Sequence, residues 1–161
     1  MTEVSFKEAA YYFWQEYLAT LPEGKRGTLK MPEAWAFGDG AEMADELGEL
    51  VTARIKTATA SLLWEYESEG NPLPKPGDFS IILDGSGSPI CLIETVAVEV
   101  RPFNQVEGQF AYDEGEGHRT LEFWRDAHWR FFTRTCREIG RVPSQDMPVV
   151  CERFKLIYLP A

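Results

Sequence analysis

A lysine and three hydroxyl side chains lie close together in residues 54–62, where a helical pattern gives way to a strand-like one. A lysine beside a threonine hydroxyl can act as its base when burial lowers the lysine pKa, because desolvation disfavours the charged form. Lys56 and Thr59 share a face on a helix but point to opposite sides of a regular strand. The pair can therefore cooperate only if the chain keeps a helical turn there or bends sharply. The alternative interpretation is a lysine near a helix C-terminus, where a cation complements the helix dipole.

An acidic stretch interrupted by glycine, Asp113-Glu114-Gly115-Glu116, offers carboxylates for the same chemistry. Glycine lets the chain turn tightly, so a carboxylate in this stretch can be directed into a cleft. A carboxylate beside the lysine would hold the lysine in place, and it could shuttle a proton if its pKa is tuned. The alternative interpretation is a solvated surface loop.

Five other side chains have two interpretations each. Asp39 precedes a helical pattern, so it could cap that helix or face a cleft, and capping is the commoner use of Asp at this position. Trp64, Trp124 and Trp129 are expected mainly in the core, although some could stack on a base at the rim of a cleft. His128 lies on an apolar helix face, where we expect a structural histidine rather than a ligand.

Composition narrows the function classes. Sixteen basic and 26 acidic residues give a formal net charge of -10. This charge opposes a broad, sequence-independent grip on nucleic acid, since phosphate contacts dominate such binding. It leaves room for a local cleft that takes a nucleoside or a short single strand. Three separated cysteines match neither a disulfide framework nor a metal knuckle, and two histidines leave little scope for a His-rich metal site.

The hydrophobic pattern predicts an α+β fold. Helices are predicted after a capping box at Ser5 and Glu8, over residues 41–53 and over residues 120–139, with a short helix from Asn104. Strands are predicted over residues 62–67, 79–83, 90–101 and 147–158, the third of them with a bend or bulge. Few helices lie between the strands, which favours a small barrel-like mixed sheet with flanking helices.

The domain organisation and the location are predicted from segments that the sequence lacks. No flexible linker or internal repeat interrupts residues 1–161, so we expect one domain, with residues 1–33 as an N-terminal helical extension packed on it. No apolar run approaches the roughly 18 residues of a membrane span. Residues 1–5 lack the basic and apolar regions of a secretory signal. We therefore expect no membrane partner and a cytoplasmic location.

Several motifs together resemble the ASCH-domain family, relatives of the PUA-like β-barrels, and within it the YhfF-like bacterial branch. The resemblance covers most of the chain beyond about residue 34. The matching segments are Phe37-Gly38-Asp39, Ala44-Asp45-Glu46-Leu47 through Leu50-Val51, Lys56-Thr57-Ala58-Thr59-Ala60-Ser61, Pro74-Lys75-Pro76-Gly77-Asp78, Ile93-Glu94-Thr95, Phe110-Ala111-Tyr112-Asp113-Glu114-Gly115-Glu116-Gly117, Trp124-Arg125-Asp126-Ala127-His128 and Val149-Val150-Cys151-Glu152-Arg153-Phe154.

The resemblance implies a PUA-like barrel with a cleft suited to RNA or a modified nucleoside. In a smaller ASCH relative that hydrolyses acetylated cytidine, the site consists of a lysine, a threonine and a glutamate. The Lys-x-x-Thr pattern matches Lys56 and Thr59, and the glutamate that follows the short helix falls on Glu114. Other ASCH proteins are associated with cleavage of single-stranded RNA. The family usually has a glycine two positions before the lysine, where this chain has Arg54.

The leading hypothesis is an ASCH domain that binds RNA or a nucleoside and hydrolyses it. In deacylation of an N4-acetylcytidine-type amide, Thr59 would attack the carbonyl, Lys56 would take and return the proton, and Glu114 would orient Lys56. In ribonuclease action, Lys56 would stabilise the phosphorane charge and Glu114 would serve as acid or base. Neither scheme requires a metal or a cofactor. Six further residues are expected to contact the ligand: Asp39, Arg54, Thr57, Ser61, Trp64 and Trp124.

Two other hypotheses remain open. The same cleft could belong to a non-catalytic module that binds RNA or a small ligand. Convergence of Lys56, Thr59 and Glu114 within hydrogen-bond reach would distinguish the hydrolase from this module. The third hypothesis is a structural interaction protein, in which the aromatic-rich helix supports a homodimer.

Overall fold

The computed structural model describes residues 5–160, which form two compact units. The first unit contains the residues up to Ala53, Asp78–Glu94 and the residues from Leu156. The second contains Arg54–Gly77 and Thr95–Lys155. The expectation that no secretory signal is present rests mostly on residues 1–4, which lie outside the described residues.

Helices and strands alternate irregularly along the chain. In order they are α1 (Phe6–Ala19), α2 (Glu23–Arg26), β1 (Glu33–Ala36), α3 (Ala41–Thr52), β2 (Ala58–Leu62), α4 (Leu63–Glu69), β3 (Phe79–Leu83), β4 (Pro89–Pro102), α5 (Gly108–Glu114), α6 (Leu121–Ile139) and β5 (Pro148–Tyr158), with a 3₁₀ turn at Phe103–Gln105. The strand order is β1-β3-β4-β5-β2. Because β1 and β3 are parallel while β3–β4 and β2–β5 are antiparallel, the sheet is mixed. The α+β fold predicted from the sequence is confirmed.

The first unit has an aromatic core. Its helix α1 begins with the predicted capping box, in which the Ser5 hydroxyl accepts from the Glu8 amide and the Glu8 carboxylate accepts from the Ser5 amide. One face of α1 buries apolar side chains against β3 and β4, and the pattern of apolar positions three and four apart explains this face. The core residues are Ala10, Phe13, Trp14, Tyr17, Leu18, Ile81 and Leu92.

The second unit carries the segments that the sequence analysis singled out. Strand β2 is antiparallel to β5, with Thr59 opposite Glu152. Ala58 and Leu62 are fully buried in a core that also includes α5 and α6, whereas Thr59 and Ser61 alternate with them and are half-buried. Successive side chains of a strand point to opposite faces, so Thr59 lies on the face away from this core.

Two local predictions are wrong. Residues 62–67 were predicted as a strand, but β2 ends at Leu62 and residues Leu63–Glu69 form α4. The helix ends at Gly70, whose positive φ of 68° gives the left-handed C-terminal geometry that glycine favours. Asp39 was the favoured cap of the second helix, but the N-cap of α3 is Gly40 and makes no side-chain capping bond.

The bend expected in the long strand appears at its start. The β3–β4 ladder changes register between Ile82 and Leu83, next to the turn that the Asp84–Ser88 segment makes. Asp84 stabilises that turn, because its carboxylate accepts from the amides of Ser86 and Ser88. Among residues 5–160, no helix is both long enough and apolar enough to pass through a lipid bilayer.

Candidate active site

Lys56 lies in a short connection that is held from two sides. The amide and the hydroxyl of Thr57 both donate to the Asp113 carbonyl, at 2.8 Å and 3.3 Å. The Thr57 carbonyl in turn accepts from the Phe154 amide at 3.0 Å. These bonds tie the residue after Lys56 to α5 and to β5. The Lys56 side chain is consequently turned inward, with only 2% of the residue exposed.

The Lys56 ammonium binds two carboxylates. Its Nζ lies 3.2 Å from Glu114 Oε1 and 3.2 Å from Glu116 Oε2, and it donates to the Ala58 carbonyl at 2.8 Å. The Glu114 carbonyl is a further, longer contact at 3.5 Å. An ammonium has three protons to donate, so these oxygens can satisfy all of them. The lysine and glutamate that the sequence singled out are therefore in direct contact.

Glycine conformation lets two nearby glutamates reach the same lysine. Helix α5 ends at Gly115, which has φ of 72°. A Cβ atom at this position would lie 2.8 Å from the Ile55 carbonyl oxygen, which is closer than such contacts occur. A residue other than glycine would therefore push the chain away from the segment that carries Lys56. This close approach brings Glu114 and Glu116 to the ammonium.

Glu114 is the central anion of the site. It is 1% exposed, and its Oε2 accepts from the indole N–H of Trp124 and from His128 Nε2, the latter at 3.1 Å. Burial raises the pKa of Glu114, but the positive charges of Lys56 and His128 outweigh burial and hold the pKa well below its usual range. Glu114 is thus an ionised carboxylate that connects two cations.

His128 is a partner of Glu114 that the sequence analysis did not identify. Its ring stacks on Trp124, with centroids 4.2 Å apart and planes 16° apart, and its Nδ1 lies 2.9 Å from the Trp124 carbonyl. Burial lowers the pKa of His128, but the charge and hydrogen bond of Glu114 outweigh it and raise the pKa above its usual value of 6.5. Positions 124 and 128 are one helical turn apart, and this spacing was the available signal that the two side chains lie together.

Glu116 is the more solvent-accessible of the two carboxylates that the Lys56 ammonium binds. Its side chain is 24% exposed, compared with 1% for Glu114. Burial raises the pKa of Glu116, the Lys56 charge lowers it and the Glu114 charge raises it, and the net result lies above the usual value of 4.5. Glu116 lies in the acidic stretch of the sequence, from which only Glu114 is predicted as a site residue. The available signal in the sequence was the pair of glutamates separated by one glycine, since a turn at that glycine can direct both side chains to the same side.

Three of these side chains could also hold a metal ion. Ligand atoms of Glu114, Glu116 and His128 all lie within 4.8 Å of one another. The Lys56 ammonium already bridges the two carboxylates, and His128 donates to one of them. A metal ion would have to replace this cation, since two positive centres at one pair of carboxylates repel each other. The side chains thus fit an ammonium-centred site.

The predicted nucleophile and two neighbouring hydroxyls have separate surroundings. Thr59 is half-buried on β2, and the hydrogen bonds described above for the Lys56 ammonium do not include its hydroxyl. The Ser61 hydroxyl lies 3.0 Å from the Tyr66 hydroxyl. The Thr57 hydroxyl is used by the Asp113 carbonyl. The structure thus joins Lys56 to Glu114, whereas the role of the Thr59 hydroxyl stays a prediction.

The other four residues predicted to contact the ligand lie in different surroundings. Trp124 is 2% exposed and its ring is enclosed beside His128, so it holds Glu114 here rather than presenting an open face. Trp64 is half-buried on α4, with the Arg141 guanidinium 4.7 Å above its ring. Asp39 is exposed and belongs to the first unit. Arg54 is exposed and has φ of 63°, a conformation that glycine adopts more readily.

A groove of about 360 Å³ opens in the second unit, a volume within the range of small-molecule sites. The Arg153 guanidinium lies 5.5 Å above the Phe110 ring and also binds the Asp113 carboxylate. Phe110 in turn packs edge-on against Trp124, so the groove and the charged site share one supporting layer. The lining residues are Ala97, Val98, Glu99, Arg101, Val106, Glu107, Phe110, Cys151 and Arg153.

Similarity to known proteins agrees with this architecture. A family model of the ASCH domain matches residues 33–158. Protein EF3133 from Enterococcus faecalis V583 is 38% identical, with 94% of this chain and 90% of that chain covered and a TM-score of 0.85. An ASCH domain from Lactobacillus crispatus JV V101 is 32% identical, with 94% and 95% covered and a TM-score of 0.87.

A more distant structure shares the fold alone. Hypothetical protein PH0355 is 19% identical, with 79% of this chain and 100% of that chain covered and a TM-score of 0.52. No curated protein matches the chain. The family match and the two closely similar structures are decisive, because they extend over most of the residues that form both units. The chain belongs to the ASCH-domain family, which has a PUA-like RNA-binding fold.

Proposed function

We propose that this ASCH domain binds RNA or a nucleoside and hydrolyses an amide on a modified nucleoside of the N4-acetylcytidine type. The observation that carries the proposal is the Lys56 ammonium held between the Glu114 and Glu116 carboxylates. Such an arrangement combines a hydrogen-bond donor for a developing oxyanion with a carboxylate for proton transfer.

The two glutamates suit different roles. Glu114 is enclosed and already accepts from three donors, so it can orient Lys56 but has little access to a substrate. Glu116 is partly exposed, and its raised pKa brings it closer to neutrality, where a general base works best. We therefore assign proton transfer to Glu116 and positioning to Glu114.

In the proposed reaction, Glu116 leaves the Lys56 ammonium and takes the proton of an attacking hydroxyl, either that of Thr59 or that of water. The Lys56 N–H that had donated to Glu116 then donates to the carbonyl oxygen as it becomes negative. The C–N bond then breaks, and Glu116 returns the proton to the departing nitrogen. If Thr59 attacks, an ester forms on its oxygen and water hydrolyses it in a second step. If water attacks, the acid is released directly.

Local charge favours a neutral amide over a phosphodiester. Two carboxylates bind the Lys56 ammonium, and the neighbouring Asp113 binds the Arg153 guanidinium. Little positive charge is left to attract a phosphate or to stabilise a phosphorane, and Glu116 would repel both. Cleavage of single-stranded RNA is therefore the second candidate, and its support is the RNA-binding type of fold.

Turnover assays on matched variants test the proposal. The protein is incubated with N4-acetylcytidine and, separately, with a single-stranded RNA. We expect release of acetate and cytidine, and a loss of at least about 100-fold in Glu116→Gln, since general acid–base catalysis contributes that much. Lys56→Ala should be inactive, whereas Glu122→Gln, at an exposed position of α6, should retain full activity.

The outcomes separate the candidate functions. Equal turnover in the wild type, Lys56→Ala and Glu116→Gln would contradict the assigned roles. Turnover of the RNA alone would favour the ribonuclease. Binding of either ligand with no turnover would favour a binding module.

The identity of the nucleophile requires a second pair of variants. If the Thr59 hydroxyl attacks, Thr59→Ala should lose activity and Thr59→Ser should retain part of it. If water attacks, both variants should keep most of the activity.

A further inference from the structure

We propose that His128 is a positioning residue of this site: its doubly protonated ring holds the Glu114 carboxylate, and Glu114 in turn holds Lys56 against Glu116. The catalytic consequence rests on the proposed function, whereas the charge state of the ring can be tested without any substrate.

The protonation of His128 follows from its hydrogen-bond partners. Nδ1 lies 2.9 Å from the Trp124 carbonyl oxygen, which can only accept, so this nitrogen must carry a proton. Nε2 lies 3.1 Å from Glu114 Oε2, which also accepts from the Trp124 indole. An ionised carboxylate oxygen in this position again requires a donor, so the second nitrogen also carries a proton. The ring is therefore an imidazolium.

The site is a row of alternating charges. It runs from His128 through Glu114 and Lys56 to Glu116, with the Trp124 carbonyl at the buried end. The ionisable groups facing His128 are Glu114 at the end of α5, Glu116 just after it and, through Glu114, Lys56 before β2. Two positive and two negative groups balance, so the loss of one charge changes the proton equilibrium of the others.

The position of Glu116 in this row gives a measurable consequence. The His128 charge lowers the pKa of Glu116 and opposes the raising effects of burial and Glu114. In His128→Gln, an amide can still donate to Glu114 but carries no charge. The pKa of Glu116 should therefore rise in this variant. A residue that only fills space would leave the pKa of Glu116 unchanged.

Trp124→Phe is the matched control. It removes another donor to the same Glu114 oxygen, but a neutral one, and it keeps an aromatic ring beside His128. We expect this variant to lose stability without a comparable rise in the pKa of Glu116. The comparison separates the charge of His128 from its packing.

NMR provides the test. In protein labelled with ¹⁵N in histidine, both His128 nitrogens should have imidazolium shifts at neutral pH. In protein labelled at the glutamate carboxyl carbons, Glu116 should titrate at higher pH in His128→Gln than in the wild type and in Trp124→Phe. A neutral His128 ring at neutral pH, or identical Glu116 titrations, would overturn the proposal. If His128→Gln fails to fold, the ¹⁵N shifts of the wild type decide.

Activity gives an independent readout. If N4-acetylcytidine is hydrolysed, the acid limb of the pH profile should move to higher pH in His128→Gln, because Glu116 must be ionised to accept a proton. Absence of turnover would remove the proposed function but leave the NMR result standing. Turnover with an unchanged acid limb would instead remove the role of His128.

Discussion

Contacts between individual charges explain why a lysine can be buried in this small protein. A buried charge costs several kcal/mol unless a partner of opposite sign and good hydrogen bonds compensate it. Lys56 has two carboxylate partners, and Glu114 has two cationic ones. Each charge is therefore compensated only while its neighbours are present, so single substitutions should reveal how strongly the row depends on its central anion.

We predict that Glu114→Gln strongly destabilises the protein. The variant keeps the shape of the side chain but leaves the Lys56 and His128 charges without their shared anion. Breaking a buried pair in this way typically costs about 3 to 5 kcal/mol, so the free energy of unfolding in urea should fall by about that amount. Glu116→Gln should cost clearly less, because its side chain is 24% exposed and Lys56 retains Glu114. Equal losses in the two variants would argue against Glu114 as the centre of the row.

The raised pKa of His128 predicts a loss of stability with increasing pH. A group whose pKa is higher in the folded than in the unfolded state contributes fully below its unfolded pKa, here 6.5. That contribution disappears as the pH rises through the folded pKa. The free energy of unfolding should therefore decrease as the pH rises above about 6.5.

Measurements below pH 9 keep two buried cysteine thiols out of this comparison. Burial raises the pKa of Cys91 and Cys151 to about 12, so these thiols destabilise the folded protein only near and above their usual value of 9.0. In His128→Gln the decrease in the free energy of unfolding above about pH 6.5 should be much smaller. A variant with the slope of the wild type would assign the effect to another group.

The turn after α5 matters at the scale of secondary structure, because it brings two glutamates to one lysine. We predict that Gly115→Ala costs about 2 to 4 kcal/mol, since it combines a positive φ with a Cβ contact of 2.8 Å to the Ile55 carbonyl. Gly70→Ala is the matched control, because Gly70 has φ of 68° but nothing within 4 Å of the added Cβ. It should cost only about 1 kcal/mol, measured by urea unfolding. Similar costs would mean that the close approach at Gly115 is unimportant.

The turn before Lys56 has an arginine, not a glycine, in the left-handed conformation. Arg54 occupies a left-handed conformation, φ 63°, at the position where the ASCH resemblance led us to expect glycine. The turn therefore forms without glycine, at a backbone cost of about 1 to 2 kcal/mol. We predict that Arg54→Gly raises the free energy of unfolding by about 0.5 to 1 kcal/mol, the greater flexibility of unfolded glycine offsetting part of the gain. Arg54→Ala, which keeps the strain, should show no gain in a thermal melt.

Elements with strong local signals were predictable from the sequence. The 19-residue α6 has apolar side chains at helical spacing, and the predicted 79–83 strand is bounded by turn residues, so both agree closely with the structure. Residues 62–67 failed because a short apolar run does not distinguish a strand from a buried helix. In the site, the Lys56–Glu114 contact was reached through the family resemblance. The His128–Glu114 contact was not predicted, since it depends on how α5 packs against α6.

The charge of the whole molecule bears on which ligand it takes. A net charge of -10 repels a polyanion at long range, and the groove in the second unit has two arginines that already bind carboxylates. A ligand that carries little charge escapes this repulsion. At this scale a neutral nucleoside is favoured over a long RNA, in agreement with the local charge balance around Lys56.

The salt dependence of the binding affinity should distinguish a neutral nucleoside from an RNA as the ligand. A protein with six to ten phosphate contacts loses about 10³- to 10⁵-fold in affinity between about 50 mM and about 200 mM salt. For this protein we predict less than about a tenfold loss for a short single-stranded RNA, because few cations are available to release counterions. Binding of N4-acetylcytidine should change hardly at all over the same range. Both can be measured by calorimetry, with Arg153→Gln to test whether that guanidinium contacts phosphate. A steep salt dependence for the RNA, reduced in Arg153→Gln, would instead place a phosphate-binding surface on the groove and favour the RNA as substrate.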